Sequence, residues 1–171
     1  ETALEVARAL HFLEAGWLEE PLQHGDVHGY ARLSESVDLA ITAGERDFGL
    51  EPFVRYGTHG SLDIWQPDVW YSGGILMVHR IAALAEGFHI PLIMHGANHL
   101  NLAPVIQLAA LIPSCRMLEM AMITPPFRPE EQWEPLLKLV NTSHLFEING
   151  DVVKIPSFPG LGVDLNEDAV L

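Results

Sequence analysis

One alternation limits the fold more than any single residue does. A segment of helical periodicity, a short apolar run and a polar turn follow one another again and again along the chain. Ala3, Val6, Ala7, Leu10 and Leu13 fall at helical spacing ahead of Gly16, a residue suited to stopping a helix, and Trp17 to Glu20 follows as a short strand. Tyr30, Leu33 and Val37 then mark a helical face in "YARLSESV", before the buried run "LAITAGE". "LEPFVRYGTHG" reads as a helix ending at glycine, and "LDIWQPD" as an apolar strand ending in an acid. Ile75, Val78, Ile81, Ala82 and Ala85 share one face of a helix that stops at Gly87 and precedes "IPLIMHG". "LAPVIQLAALIP" and "CRMLEM" supply the last helix and strand of the series. Strands each preceded by a helix, and apolar almost throughout, belong to a parallel sheet buried on both faces; the fold class is α/β. Beyond "TPPFRPEEQW", a proline-rich loop opening a helix through about Val140, the pattern changes. Asn149-Gly150 between apolar runs marks a hairpin and the rest reads as an irregular tail, dividing the chain into 1–143 and 144–171.

With 171 residues, 49% of them hydrophobic, the chain suits one packed domain and not a disordered segment. Its 23 acidic against 9 basic residues, a formal charge of −14, argue against nucleic acid or an anionic membrane as partner, since both require basic surface. Cys115 is the lone cysteine, which excludes an internal disulfide and suits a reducing cytoplasm. No run reaches the roughly 18 to 20 apolar residues of a membrane span, and no signal peptide is visible ahead of the first helix.

The strand ends carry Glu19, Glu20, Glu45, Asp68, His95 and Glu119. In parallel α/β folds the ligand site lies at the carboxyl ends of the strands, in a barrel or an open sheet alike, so these groups converge. Neighbouring strand residues face opposite ways, which sends Glu19 inward and leaves Glu20 to brace adjacent elements. Taken singly, each carboxylate could be a helix cap or a loop salt bridge. Together, Glu19, Glu45 and Asp68 crowd negative charge onto one face, which a divalent or substrate cation would offset; oxygen-only ligands favour magnesium. His95 could be a core histidine, yet its strand follows that of Asp68, and a carboxylate on a histidine fixes its tautomer and raises its basicity. His95 and His99 as zinc ligands are a weaker alternative, because Gly96 stands in "HGANH" where the metallopeptidase glutamate is needed. His11, His79 and His89 fit solvent-facing or packing positions, Cys115 a buried structural one. Gly73-Gly74 could hold an anion at a helix start, and tight turn geometry explains the pair equally well.

"WLEEPL", "ITAGE", "IWQPDVWYSGGI", "IMHG", "MLEM" and "FPGLGVDLNEDAV" together, in this order and spacing, resemble the barrel domain of the enolase superfamily in its mandelate racemase-like branch, where many acid sugar dehydratases are found. The resemblance runs along essentially the whole chain. It implies a partial (β/α)8, TIM-type barrel comprising strands four to eight, with a C-terminal tail that packs on an α+β capping domain not contained in the chain. It makes Glu19 and Glu45 magnesium ligands, Asp68 and His95 the catalytic dyad, and Glu119 the group that hydrogen-bonds the substrate carboxylate. A third metal ligand and a second acid/base lysine belong upstream of Glu1. A barrel of this type takes about 250 residues, so the chain is expected to be the C-terminal part of a larger enzyme, exposing a sheet edge and an apolar barrel interior if made alone.

The chemistry implied is magnesium-dependent removal of the proton alpha to a carboxylate through an enediolate intermediate. Dehydration of an acid sugar to a 2-keto-3-deoxy acid is the favoured outcome. His95 serves as base or acid, Glu119, protonated or sharing a proton, donates to the carboxylate, and His95, Glu119 and Asn98 contact substrate, with Asn98 as a turn or cap residue the alternative. A racemase or epimerase on the same scaffold, and a non-catalytic binding or structural subunit, are the rivals. The remaining expectations are a cytoplasmic setting, a small carboxylate substrate, no nucleic-acid or membrane partner, and a homo-oligomer in the full-length protein.

Overall fold

The computed structural model describes residues 2–125, 127–143 and 145–170; Glu1, Pro126, His144 and Leu171 fall outside it, and with them the expected start of the tail at 144. The alternation read from the sequence becomes β1 (Trp17–Glu19), β2 (Ala40–Ala43), β3 (Ile64–Trp65), β4 (Leu92–Ala97) and β5 (Cys115–Met120), a five-stranded sheet in sequential order. Every pairing in it is parallel. The sheet curls as a partial TIM-type barrel. Helices α1 (Thr2–Phe12), α2 (Val27–Ser34), α3 (Glu51–His59), α4 (Ile75–Phe88) and α5 (Leu102–Leu111) precede the strands in turn.

Helix ends depart from the sequence reading for local reasons. α1 stops at Phe12 because Glu14 turns left-handed at φ 59° and the Ala15 amide reaches back to the Leu10 carbonyl, so Gly16 lies beyond the stop. Its buried face is Ala7 with Ala3, Leu4 and Leu10, whereas Val6 and Leu13 are exposed. α2 begins at the Asp26 cap, whose carboxylate accepts from the Gly29 amide at 2.9 Å, and ends before Val37. α3 does end at glycine, with Gly60 left-handed at φ 60°. α4 runs past Gly87 to Phe88 and is closed by left-handed His89. Gly73 and Gly74 both take positive φ, and the Gly74 amide bonds the Val69 carbonyl at 2.8 Å, which accounts for the pair as turn geometry.

The helix expected through Val140 breaks in two: α6 (Pro129–Trp133), then a 3-10 segment (Glu134–Leu139). Pro135 has no amide to give and its ring crowds the preceding turn. The hairpin is present as β6 (Ile148–Asn149) and β7 (Val152–Val153), but its turn is Gly150-Asp151, since Asn149 pairs with Val152. The tail folds back through an antiparallel bridge between Val140 and Leu165 before α7 (Glu167–Val170). Among the described residues, no helix is long and apolar enough to cross a membrane.

The two faces of the sheet differ. Ile41, Trp65, Leu92 and Met94 point to the helices and share their core with Tyr30, Phe53, Val78, Ile81 and Ile106. Trp65 lies 5.2 Å from Phe53 and 6.0 Å from Phe88, ring centre to ring centre. The opposite face alternates with it: Trp17, Ile64, Ile93 and Met117 line a cavity of about 580 Å³ there. Two residues on, the same strands or their extensions carry Glu19, Gln66, His95 and Glu119. An apolar floor therefore lies beneath a polar tier.

Candidate active site

His95 is the centre of that tier. Its Nδ1 is 2.9 Å from Asp68 Oδ2, and its Nε2 is 2.9 Å from Glu45 Oε2. His95 lies within β4, while Asp68 and Glu45 sit beyond β3 and β2 on the loops that follow them. Asp68 is itself fixed: the amides of Trp70 and Tyr71 donate to its Oδ1 at 2.7 and 2.9 Å. Burial pushes the Asp68 carboxyl upward, but the hydrogen bond from His95 and the two loop amides outweigh it and hold the group below the usual aspartate value. The Asp68 hydrogen bond raises the His95 pKa, burial opposes it, and the negative charges of Glu45, Asp68 and Glu119 add to the rise. Carboxylates facing both ring nitrogens favour the protonated ring, the form that can donate from both.

Glu19 accepts from Gln66 Nε2 at 3.0 Å. Glu119 accepts from the Gly96 amide at 2.8 Å, beside His95. Donor atoms of Glu19, His95 and Glu119 lie within 4.8 Å of one another. Glu45 reaches this group through His95, and its other oxygen meets Arg46 Nε at 3.2 Å. The expected dyad residues and carboxylates thus stand together. Glu20 follows β1 with φ 41° and reaches Arg46 Nε, on the loop after the neighbouring strand, at 3.4 Å, a contact that braces adjacent elements. Burial and the charge of Glu45 raise its pKa.

Asn98 occupies another place. Its Nδ2 donates to the Ala121 carbonyl at 3.1 Å and to Gln132 Oε1, and its Oδ1 accepts from the His99 amide at 2.7 Å and Trp133 Nε1 at 2.8 Å. The side chain ties the loops after β4 and β5 to α6, the structural alternative to a substrate contact. Gln66 is the tier residue that strand ends alone did not single out. Its signal was available as the spacing Trp17-Glu19, Ile64-Gln66, Ile93-His95 and Met117-Glu119, apolar then polar at two-residue intervals.

Sequential parallel β/α units with acids and a histidine gathered at the carboxyl ends define an incomplete β/α barrel of enzyme type. The chain belongs to the enolase C-terminal domain-like family, whose model matches residues 1–169. It is 31% identical over 166 residues to the D-gluconate dehydratase of Thermoproteus tenax, covering 96% of this chain and 32% of that protein. It is 34% identical over 170 residues to the D-galactonate dehydratase of Ralstonia nicotianae, covering 96% and 42%. The solved L-talarate dehydratase of Polaromonas sp. JS666, complexed with Mg and L-glucarate, superposes with a TM-score of 0.79 at 28% identity, over 99% of this chain and 42% of that one. The chain therefore spans 32% and 42% of the lengths of these two curated relatives.

Proposed function

We propose that this chain supplies the acid–base and cation-holding residues for dehydrating an acid sugar to a 2-keto-3-deoxy acid. The observation that carries the reading is His95 held by Asp68 at one nitrogen and facing Glu45 at the other, with Glu19 and Glu119 in the same group of donor atoms. His95 takes the proton from the carbon alpha to the carboxylate, or gives one to the departing β-hydroxyl. Loss of that hydroxyl as water leaves an enol that tautomerises to the keto acid. Asp68 keeps the Nδ1 proton in place, so that Nε2 is the atom that exchanges protons. Glu119, steadied by the Gly96 amide, is placed to meet a carboxylate oxygen of the substrate.

The donor set fits a divalent cation. Glu19 and Glu45 are oxygen donors on adjacent strand ends, and the guanidinium nearest them, Arg46, is exposed and turned to Glu20 and the outer oxygen of Glu45. Glu19 and Glu45 would hold magnesium, which would supply positive charge opposite the substrate carboxylate. Glu45 faces the His95 Nε2 at 2.9 Å, and its carboxylate would hold that proton less firmly if it also served as a cation ligand. The 144–171 segment belongs, in this reading, to contacts with a capping domain.

The natural protein incubated with magnesium and a panel of acid sugars, D-gluconate and D-galactonate among them, should release a 2-keto acid. His95→Asn should remove that activity; unchanged turnover by the variant would refute the assignment. Deuterium entering the alpha carbon from solvent without loss of water would instead mark a racemase.

A further inference from the structure

Gln66 is 1% exposed, and its amide is used on one side only. Nε2 donates to Glu19 Oε2, while Oε1 is buried with no hydrogen-bond partner among the described residues. Its reach is long for that purpose: the side chain leaves the end of β3 and meets β1, with β2 between them. On β2 the residue in register with Glu19 is Thr42, whose hydroxyl is likewise buried and without a partner among the described residues. A methionine or leucine here would pack without stranding an amide oxygen, so folding alone does not account for the glutamine.

We infer that Gln66 is a positioning residue for the cation site: its amide fixes one oxygen of Glu19 and so sets the direction in which the carboxylate faces a divalent ion. A neutral donor is suited to this task. An arginine or lysine would orient Glu19 equally well but would cancel the charge that draws the cation in, whereas an amide orients it and leaves the full negative charge available. This rests on the reading of Glu19 as a cation ligand.

The test is Mn2+ binding to the natural protein, followed by the EPR signal of free Mn2+, with thermal melting of the metal-free protein alongside. Gln66→Met should weaken Mn2+ binding by about tenfold or more, as loss of an outer hydrogen bond to a ligand does. The metal-free melting temperature should hold or rise, because the stranded amide oxygen is gone. Gln66→Asn keeps the amide one methylene short of Glu19 and should show the same loss of affinity if the methionine variant does not fold. Glu19→Gln separates the two ideas. Weakened binding there, with Gln66 variants within about twofold of wild type, overturns the role of Gln66 alone. Unchanged binding in Glu19→Gln overturns the ligand reading and the role of Gln66 with it.

Discussion

Asp68 and His95 shift each other in opposite directions, and the signs predict a window of pH. A lowered Asp68 pKa contributes stability that is present above the ordinary carboxylate value and lost as pH falls through the lowered one. A raised His95 pKa contributes stability that is full below the ordinary imidazole value and lost as pH rises through the raised one. Asp68→Asn should therefore cost most between about pH 4 and pH 6.5, by about 1.5–3 kcal/mol for a charged hydrogen bond, with the penalty shrinking on either side. Urea denaturation across pH measures it, and NMR titration of His95 should show its pKa fall in the variant. Gly96 offers a different test. An ideal Cβ there would come within 3.0 Å of the Glu119 carboxylate, the free end of a flexible side chain. Gly96→Ala should hardly change the melting temperature, yet pushing Glu119 aside by a few tenths of an ångström should lower kcat, by less than the roughly hundredfold that a 1 Å misplacement can cost.

The packing of α3 on α4 depends on Gly57, where an ideal Cβ would sit 2.6 Å from the Phe88 ring. Alanine favours a helix interior over glycine by about 1 kcal/mol, but the new Cβ would also lie 2.8 Å from Phe88 Cγ, at the root of the ring, so the whole ring would have to leave its tilted contact with Trp65. Gly57→Ala should destabilise by about 1–2 kcal/mol net, read as a lower urea midpoint. Elements of this kind were legible in the sequence where a residue's own chemistry decides the outcome. Gly60 closes α3 where expected, and the order of helices and strands follows hydrophobic periodicity. The ends of α1 and α4 were not legible, because Glu14 and His89 take left-handed conformations that their side chains do not announce. Nor was the division after Trp133, where Pro135 interrupts an otherwise helical run. At the site, acids and histidine at strand ends were visible one by one. The Glu45–His95 contact and the Asn98 knot were not, since each joins loops whose meeting depends on the curl of the sheet.

The acidic tier predicts how the protein as a whole responds to cations. A divalent ion that binds the folded state and not the unfolded one raises stability by about 2.7 kcal/mol at a hundred times its Kd. Magnesium should therefore raise the melting temperature of the natural protein in a concentration-dependent way, EDTA should reverse it, and Glu45→Gln should flatten the response. A formal charge of −14 adds to this by drawing cations toward the surface, a part that salt will screen. The stacking of an apolar floor under a polar tier has a further consequence, for insertions and deletions. Floor, site and helix-facing core are rungs of the same strands, one residue apart. Deleting Met94, the one residue between Ile93 and His95, would send the imidazole among the helices or pull Ile93 off the floor into the helix-facing core, however conservative the loss looks in composition. The loops that join these strands can change length without turning any side chain over, while within a strand a changed residue count turns every residue beyond it.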